Sequence, residues 1–144
     1  MLVQQILSSK GSAAVVTTTP ETSITDITRL LSEHRIGGVV VSSDGSTVEG
    51  ILSERDIVRA LSTKGPSCLD DRADALMTPN PVCCKRGDTT HSVLERMTEG
   101  RFRHMPVVED GQLIGIVTIG DVVKARLSEL SMEKTALEDM ITGR

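Results

Sequence analysis

Two short segments of the sequence each place a hydroxyl three residues before an acid, at the point where an apolar stretch begins. They are Ser53 to Asp56 and Thr118 to Asp121. A Ser or Thr followed by an acid at this spacing is typical of a helix start, where the hydroxyl and the carboxylate both accept hydrogen bonds from backbone N–H groups. The first turn of a helix also presents unpaired N–H groups, which favour a bound phosphate. The pattern therefore indicates a helix cap or a ligand contact, and its recurrence favours the ligand.

Charge separates the roles that these residues could take toward a nucleotide. A carboxylate repels a phosphate, so Asp56 and Asp121 are expected to accept hydrogen bonds from ribose hydroxyls. The hydroxyls of Ser53 and Thr118 suit sugar or phosphate oxygens. Arg55, which is present in the first segment only, adds a cation where phosphates would emerge.

The two segments lie within an internal repeat, the feature to identify before any fold is predicted. Residues 50–60 align with residues 115–125, and residues 39–41 align with residues 106–108. Both copies contain Asp-Gly between apolar runs, which is the strongest short-range signal of a hairpin. The chain therefore contains two copies of one structural unit.

Each copy predicts the same order of elements: strand, helix, hairpin and second helix. First strands are predicted at 15–18 and 82–85, and lead-in segments at 3–7 and 73–77 precede the copies. Because a unit of about 60 residues buries a small share of its surface, the copies should pack together about a pseudo-two-fold axis. We therefore predict an α/β (α+β) fold of two β-α-β-β-α repeats. Its parts are repeat 1 at 1–64, repeat 2 at 72–130 and a C-terminal helical extension at 131–144.

This pattern resembles a tandem pair of CBS domains, or Bateman module, over nearly the whole chain. The resemblance is carried by residues 50–58, 115–123 and 103–108. It implies repeats packed in pseudo-symmetric pairs, which commonly dimerise into a disc of four. It also implies binding of adenosyl ligands, such as AMP, ADP, ATP, S-adenosylmethionine or NAD, in clefts between repeats.

The same resemblance implies which residues bind the ligand. Ser53 with Asp56, and Thr118 with Asp121, would contact ribose and phosphate, while backbone of the second and first strands of each copy would hold adenine. The predicted ligand-binding residues are Ser53, Arg55, Asp56, Gly38, Val39, Val15, Thr118, Gly120, Asp121, Arg103, His104, Met105, Pro106 and Val82.

The two clefts are expected to differ because their cations differ. We assign Arg55 to the cleft of the first copy, and Arg101, Arg103 and His104 to the cleft of the second copy, whose helix start carries the uncharged Gly120. Protonation of a histidine beside phosphate is favoured. Affinity of the second cleft is therefore expected to rise as the pH falls through about 6.5.

Composition and missing motifs exclude several classes of protein. A net charge of −4 and a single aromatic residue argue against nucleic-acid binding. No segment has the roughly 18 consecutive apolar residues of a membrane span, and the first residues lack the features of a signal peptide. The three histidines lack the spacing of metal ligands, and no dinucleotide-fold or P-loop motif is present. We therefore expect a soluble cytoplasmic protein with no metal, no catalytic residue, no catalytic cofactor, no membrane partner and no nucleic-acid partner.

The function predicted from these observations is regulatory. We expect a non-catalytic module that binds AMP, ATP, NAD or S-adenosylmethionine and signals its occupancy to a separate, unidentified protein. An apolar stripe from Val123 to Ile141, interrupted by Lys134, predicts a homodimer. One alternative is a ligand-free scaffold for constitutive dimerisation. The other is a thiol-dependent regulator acting through Cys84, one of three cysteines whose odd number and spacing suit a reducing compartment.

Overall fold

Short strands alternate with amphipathic helices along the chain. A computed structural model describes residues 1–11 and 15–143 of the chain. The helices are α1 (Val3–Lys10), α2 (Ile24–His34), α3 (Glu54–Lys64), α4 (Ala73–Leu76), α5 (Thr90–Gly100) and α6 (Ile119–Thr142), with a 3-10 helix at Pro66–Asp70. The strands are β1 (Thr17–Thr18), β2 (Gly38–Val41), β3 (Gly50–Ser53), β4 (Thr78–Pro79), β5 (His104–Glu109) and β6 (Gln112–Thr118). The fold is mixed α+β, as predicted.

The strands form two sheets, one in each half of the molecule. In the first, β1 pairs parallel with β2, and β2, β3 and β4 follow in antiparallel order. In the second, β5 and β6 form an antiparallel hairpin, and Cys84 makes a parallel bridge to Val107. The predicted first strands are therefore too long. Of the two predicted segments, only Thr17–Thr18 pairs with β2 and only Cys84 pairs with β5. Val15 and Val82 lie outside these pairings, and their side chains line the clefts.

Each half has its own hydrophobic core, formed by one helix face against one sheet. Ile24, Ile27 and Leu31 of α2 form one apolar stripe at helical spacing, and all three are buried against Val39 and Leu52 of the first sheet. In the second half, Val93 and Met97 of α5 pack with Met105, Val107 and Val117. Ser23 and Thr89 cap the two helices by accepting hydrogen bonds from the backbone N–H groups of Asp26 and Ser92.

The lead-in helices cross between the halves. Val3 and Ile6 of α1 are buried in the core of the second half, whereas Ala73 of α4 is buried in the core of the first half. The crossing is symmetric, because the Val3 N–H donates to the carbonyl of Asp88 and the Ala73 N–H donates to that of Thr22. Each half alone is too small to cover its own apolar surface, and the helix preceding the other half supplies the missing side chains.

Two equivalent glycines make room for the crossing segments. A Cβ at Gly50 would lie 2.3 Å from Sδ of Met77, and a Cβ at Gly115 would lie 2.6 Å from Cδ2 of Leu7. The two halves thus receive the same kind of contact at the same place. This correspondence is the pseudo-two-fold relation that the sequence repeat predicts.

The long helix α6 continues beyond the second half. Its buried residues, Val122 and Ala125, lie near its start, and every described side chain from Ser131 to Gly143 is exposed. None of the helices in the described ranges is long and apolar enough to cross a membrane. The C-terminal extension therefore forms a bare helical arm in this chain.

Candidate functional site

Both segments singled out by their spacing form complete capping boxes at helix starts. At α3, Ser53 Oγ accepts from the Asp56 N–H at 3.4 Å, and Asp56 Oδ2 accepts from the Ser53 N–H at 2.8 Å. At α6, Thr118 Oγ1 accepts from the Asp121 N–H at 3.1 Å, and Asp121 Oδ2 accepts from the Thr118 N–H at 2.9 Å. The capping interpretation is confirmed.

Capping leaves part of each acid available. Both aspartates bond the backbone through Oδ2. Among the described residues, the only cation near the other oxygen of either acid is Arg59, whose Nη1 is 3.8 Å from Asp56 Oδ1. A second hydrogen bond to a hydroxyl is therefore compatible with the cap, and the two interpretations of these acids do not exclude each other.

Two clefts lie between the halves, and each takes residues from both. The first, of about 440 Å³, is named the Asp56 cleft, and the second, of about 630 Å³, the Thr118 cleft. The Asp56 cleft is lined by Ser53, Glu54, Arg55, Asp56 and Arg59 from the first half, and by Asn80, Val82, Arg101, Phe102, Arg103 and His104 from the second. The Thr118 cleft is lined by Val15, Val16, His34, Arg35, Ile36, Gly37 and Gly38, by Leu7 and Lys10 of α1, and by His104, Gly115, Ile116 and Thr118.

The predicted assignment of two of the three cations is wrong. Arg101 and Arg103 were expected beside Asp121, but both line the cleft that contains Arg55 and Asp56, whereas His104 lines both clefts. The backbone of Arg103 is fixed within its own half, because its carbonyl accepts from the Ile119 N–H at 2.9 Å. Its side chain nevertheless lines the cleft that contains Asp56 of the first half, because the two halves face each other across the clefts.

His104 belongs to both clefts and separates them. Its ring lies against the backbone of Gly38, where an added Cβ would come within 3.0 Å of three ring atoms. Burial lowers the pKa of His104, nearby Lys10 and Arg103 act in the same direction, and Glu54 and Asp121 oppose them. Protonation of this imidazole is therefore expected below its ordinary pKa of about 6.5, which corrects the pH range predicted from the sequence.

Lys10 is a functional candidate that sequence analysis missed. Its Nζ donates to the carbonyl of Ile116 and to Oδ2 of Asp121, both at 2.9 Å. Burial raises the pKa of the Asp121 carboxyl, but the hydrogen bonds from Lys10 and Thr118 outweigh burial, so the pKa is lowered overall. The contact joins residues from opposite ends of the chain and depends on the crossing of α1, so no local pattern could have predicted it.

The remaining predicted site residues lie in different environments. The side chains of Val39 and Met105 are fully buried in the two cores, and Pro106 is also buried, so only their backbone could touch a ligand. Gly120 is exposed, and it lies outside the residues that line either cleft. Residues that the binding-site prediction lacked but that line a cleft include Lys10, Arg35, Arg59 and Asn80.

The thiols are poorly placed for regulation by reaction. Cys84 is 2% exposed, and burial raises the pKa of its thiol to about 12. Burial also raises the pKa of Cys83. Because the thiolate is the reactive form, these environments disfavour the thiol-dependent alternative.

Within residues 1–11 and 15–143, no three His, Cys, Asp or Glu side chains come together as a metal site would require.

The two halves also match known sequences. The sequence profile of the CBS domain matches residues 6–63 and again residues 73–128. The chain belongs to the CBS-domain family. Its two CBS domains stand in tandem, and the Asp56 and Thr118 clefts lie between them.

Similar proteins match most of the length of this chain. The chain is 30% identical to the mitochondrial CBS domain-containing protein CBSX3 of Arabidopsis thaliana, over 98% of this chain and 72% of that protein. A CBS-domain containing protein of Agrobacterium tumefaciens has a crystal structure with 45% identity and a TM-score of 0.83, covering 88% of this chain and 99% of that one. A CBS domain protein of Pyrobaculum aerophilum, solved in complex with AMP, has 26% identity and a TM-score of 0.77, covering 92% and 99%.

Proposed function

We propose that this CBS-domain protein is a non-catalytic regulatory module that binds adenosyl ligands in the clefts between its two domains. The observation that carries the proposal is a recurring capped helix start whose hydroxyl, Ser53 or Thr118, lines a cleft and whose acid leaves Oδ1 without a backbone bond. Asp56 itself lines its cleft, whereas Asp121 lies beside Thr118 outside the residues that line the second cleft. The AMP bound by the Pyrobaculum relative supports adenosine as the common part of the ligand.

The residues divide according to the parts of such a ligand. Asp56 and Asp121 accept hydrogen bonds from the ribose hydroxyls, while Ser53 and Thr118 contact sugar or phosphate oxygens. The base lies toward Val82 in one cleft and toward Val15 in the other, because apolar side chains and free backbone groups suit a flat, neutral ring.

A ligand panel tests the proposal directly. AMP, ATP, NAD and S-adenosylmethionine are added separately, and the melting temperature and binding heat are measured. A ligand that binds only the folded state stabilises it by about 2.7 kcal/mol at a hundredfold excess over Kd. A panel in which no ligand shifts the melting temperature or gives a binding heat would support the ligand-free scaffold instead.

Three matched variants separate ligand contact from capping. Asp56→Asn and Asp121→Asn keep an oxygen that can accept the backbone N–H, but they remove the negative charge. Each is expected to weaken binding in its cleft about tenfold or more, as loss of a charged hydrogen bond would. The control is Asp26→Asn, because Asp26 occupies the same position in the first turn of α2, but neither Asp26 nor its capping residue Ser23 lines a cleft. Equal affinities in all three variants would mean that the acids act as caps only.

We also propose that the protein forms a homodimer through α6. Exposed Val123, Leu127, Leu130, Leu137 and Ile141 recur at heptad spacing, with Lys134 at one core position. An unsupported helical arm of about 12 residues is marginal in water, so the exposed arm needs a partner.

Charge favours an antiparallel arrangement of the two helices. A parallel pair would place the Lys134 side chains against each other and bring Glu133 beside the partner's Glu138. An antiparallel pair centred near residue 132 places Lys134 against leucine and Lys124 beside the partner's Glu138, leaving the two Glu133 carboxylates as its one like-charge contact. The antiparallel pair therefore has fewer unfavourable contacts.

Light scattering at micromolar concentration tests the dimer. Wild type is expected at twice the monomer mass, and Leu130→Glu with Leu137→Glu at the monomer mass. Thr135→Glu adds one negative charge on the outer face of α6, where the double variant adds two at the apolar stripe, and it should remain dimeric. A monomeric wild-type protein would overturn the dimer.

We further propose that occupancy of the clefts is signalled to a separate protein as a change in dimer shape, in the cytoplasm.

A further inference from the structure

Four arginine side chains converge on the Asp56 cleft. Arg55 and Arg59 extend from the first turns of α3, and Arg101 and Arg103 come from the turn before β5. They belong to different halves of the molecule, so the cluster exists only because the halves face each other. Two carboxylates, Glu54 and Asp56, line the same cleft.

Folding leaves three of these guanidinium groups uncompensated. Among the described residues, no carboxylate lies within salt-bridge distance of Arg55, Arg101 or Arg103. The fourth, Arg59, is 3.8 Å from Asp56 and 77% exposed. Like charges gathered at a concave surface repel one another and raise the local concentration of anions. A ligand with several negative charges would relieve the repulsion.

The Thr118 cleft has a different charge balance. The ammonium of Lys10 is already bonded to Asp121 and to the carbonyl of Ile116. Of the described residues lining this cleft, Arg35 is the sole arginine. The Thr118 cleft therefore offers one guanidinium group and one lysine whose charge is already paired with Asp121, which suits a ligand with little negative charge. The Asp56 cleft, by contrast, offers four guanidinium groups.

We propose that the Asp56 cleft takes a nucleoside di- or triphosphate, whereas the Thr118 cleft takes an adenosyl ligand with at most one phosphate. This inference rests on the adenosyl binding proposed above and adds the number of phosphates to it. With the ribose held by Asp56, the phosphate chain extends toward the guanidinium groups, which bind phosphate oxygens in pairs. The two clefts of one protein thus sense different nucleotides.

The energetic consequence is a preference among adenine nucleotides at one cleft. The arginines are solvent-exposed, so each contributes less than a buried ion pair would. Two of them acting on the β- and γ-phosphates should nevertheless give ATP an advantage over AMP of about tenfold, since hydrogen bonds to charged groups contribute more than neutral ones. The preference should weaken with added salt, because exposed charges are screened.

Calorimetric titration of ATP and AMP into three proteins tests the inference. Wild type should bind ATP about tenfold more tightly than AMP. The double variant Arg101→Gln with Arg103→Gln should lose that preference while its affinity for AMP changes less than about threefold. Arg35→Gln is the matched control, because it removes one guanidinium from the Thr118 cleft, and it should keep the preference for ATP. Circular dichroism and melting of each variant check that the fold is intact.

The outcomes separate this inference from the proposed function. If wild type binds AMP as tightly as ATP, or if the double variant keeps the preference, the polyphosphate assignment is wrong while adenosyl binding stands. If Arg35→Gln abolishes the preference, the polyphosphate site lies in the other cleft and the assignment is overturned. If neither nucleotide binds wild type and S-adenosylmethionine also gives no heat, the proposed function fails, and this inference fails with it.

Discussion

The contact between Leu7 and Gly115 allows a strict test of the crossed lead-in helices. Gly115 lies in β6, where the backbone is extended, so alanine is conformationally acceptable there. Its Cβ would however lie 2.6 Å from Cδ2 and 3.3 Å from Cδ1 of Leu7, closer than the 3.5 to 4.0 Å of a normal carbon contact. Overpacking of this kind destabilises by about 1–3 kcal/mol, which is the expected cost of Gly115→Ala.

The same geometry predicts a rescue. Leu7→Ala removes the two methyl groups that an added Cβ would strike, so Gly115→Ala should cost close to nothing in that background. Urea unfolding of wild type, the two single variants and the double variant gives the coupling energy, which we expect to be about 1 kcal/mol or more. Gly115 faces the crossing α1, so the coupling reports directly on which half α1 covers.

The mirrored pair supplies the control. Gly50→Ala places a Cβ 2.3 Å from Sδ of Met77 and 3.0 Å from the backbone carbonyl of Thr78, so Met77→Ala should rescue it only in part. Leu7→Ala combined with Gly50→Ala should be additive within about 0.5 kcal/mol, because Leu7 packs against the second half whereas Gly50 lies in the sheet of the first half. Coupling of Leu7 to Gly50 instead of Gly115, or a neutral Gly115→Ala, would refute the crossed arrangement.

Three further predictions follow from burial. Ile6→Ala should destabilise the protein by about 3 kcal/mol and lower its Tm by about 9 °C in thermal unfolding. Gln4→Ala, on the exposed face of α1, should change the Tm by less than about 2 °C. Similar shifts for the two variants would contradict the burial of Ile6. Because burial lowers the pKa of His104, the unfolded state binds more protons than the folded state, so the stability of the fold should fall as the pH drops below about 6.5. Thermal melts from pH 7.5 to 5 should show a smaller loss of Tm for His104→Gln than for wild type. Identical pH profiles would contradict this role of His104. Cys84 should react with iodoacetamide at pH 8 far more slowly than free cysteine, and a comparable rate would restore the thiol-dependent alternative.

The parts of the fold that sequence analysis predicted are those set by neighbouring residues. Ser53 and Asp56 both belong to one turn, so the capping box follows from their spacing alone. The stripe of α2 follows from helical periodicity in the same way. The internal repeat then predicts two similar units, because two copies of one pattern fold to one structure.

The parts that sequence analysis missed depend on how the two units face each other. The contact from Lys10 to Asp121 spans 111 residues, and nothing in either copy indicates it. Arg103 was assigned to the wrong cleft for the same reason, since a repeat specifies each unit but not which side chains cross between units. The first strands were predicted too long because Val15 has strand propensity, whereas its position leaves it unpaired beside a cleft.

The crossing of α1 also sets an order of events during synthesis. The core of the second half needs Val3 and Ile6 together with Val117, and at 5 to 20 residues per second the ribosome makes those parts roughly 6 to 20 s apart. During that interval the apolar face of α1 has no folded surface to cover. The first half closes earlier, once Ala73 has emerged, so α1 is made before either half but docks last, and it is exposed to chaperones and proteases for longest.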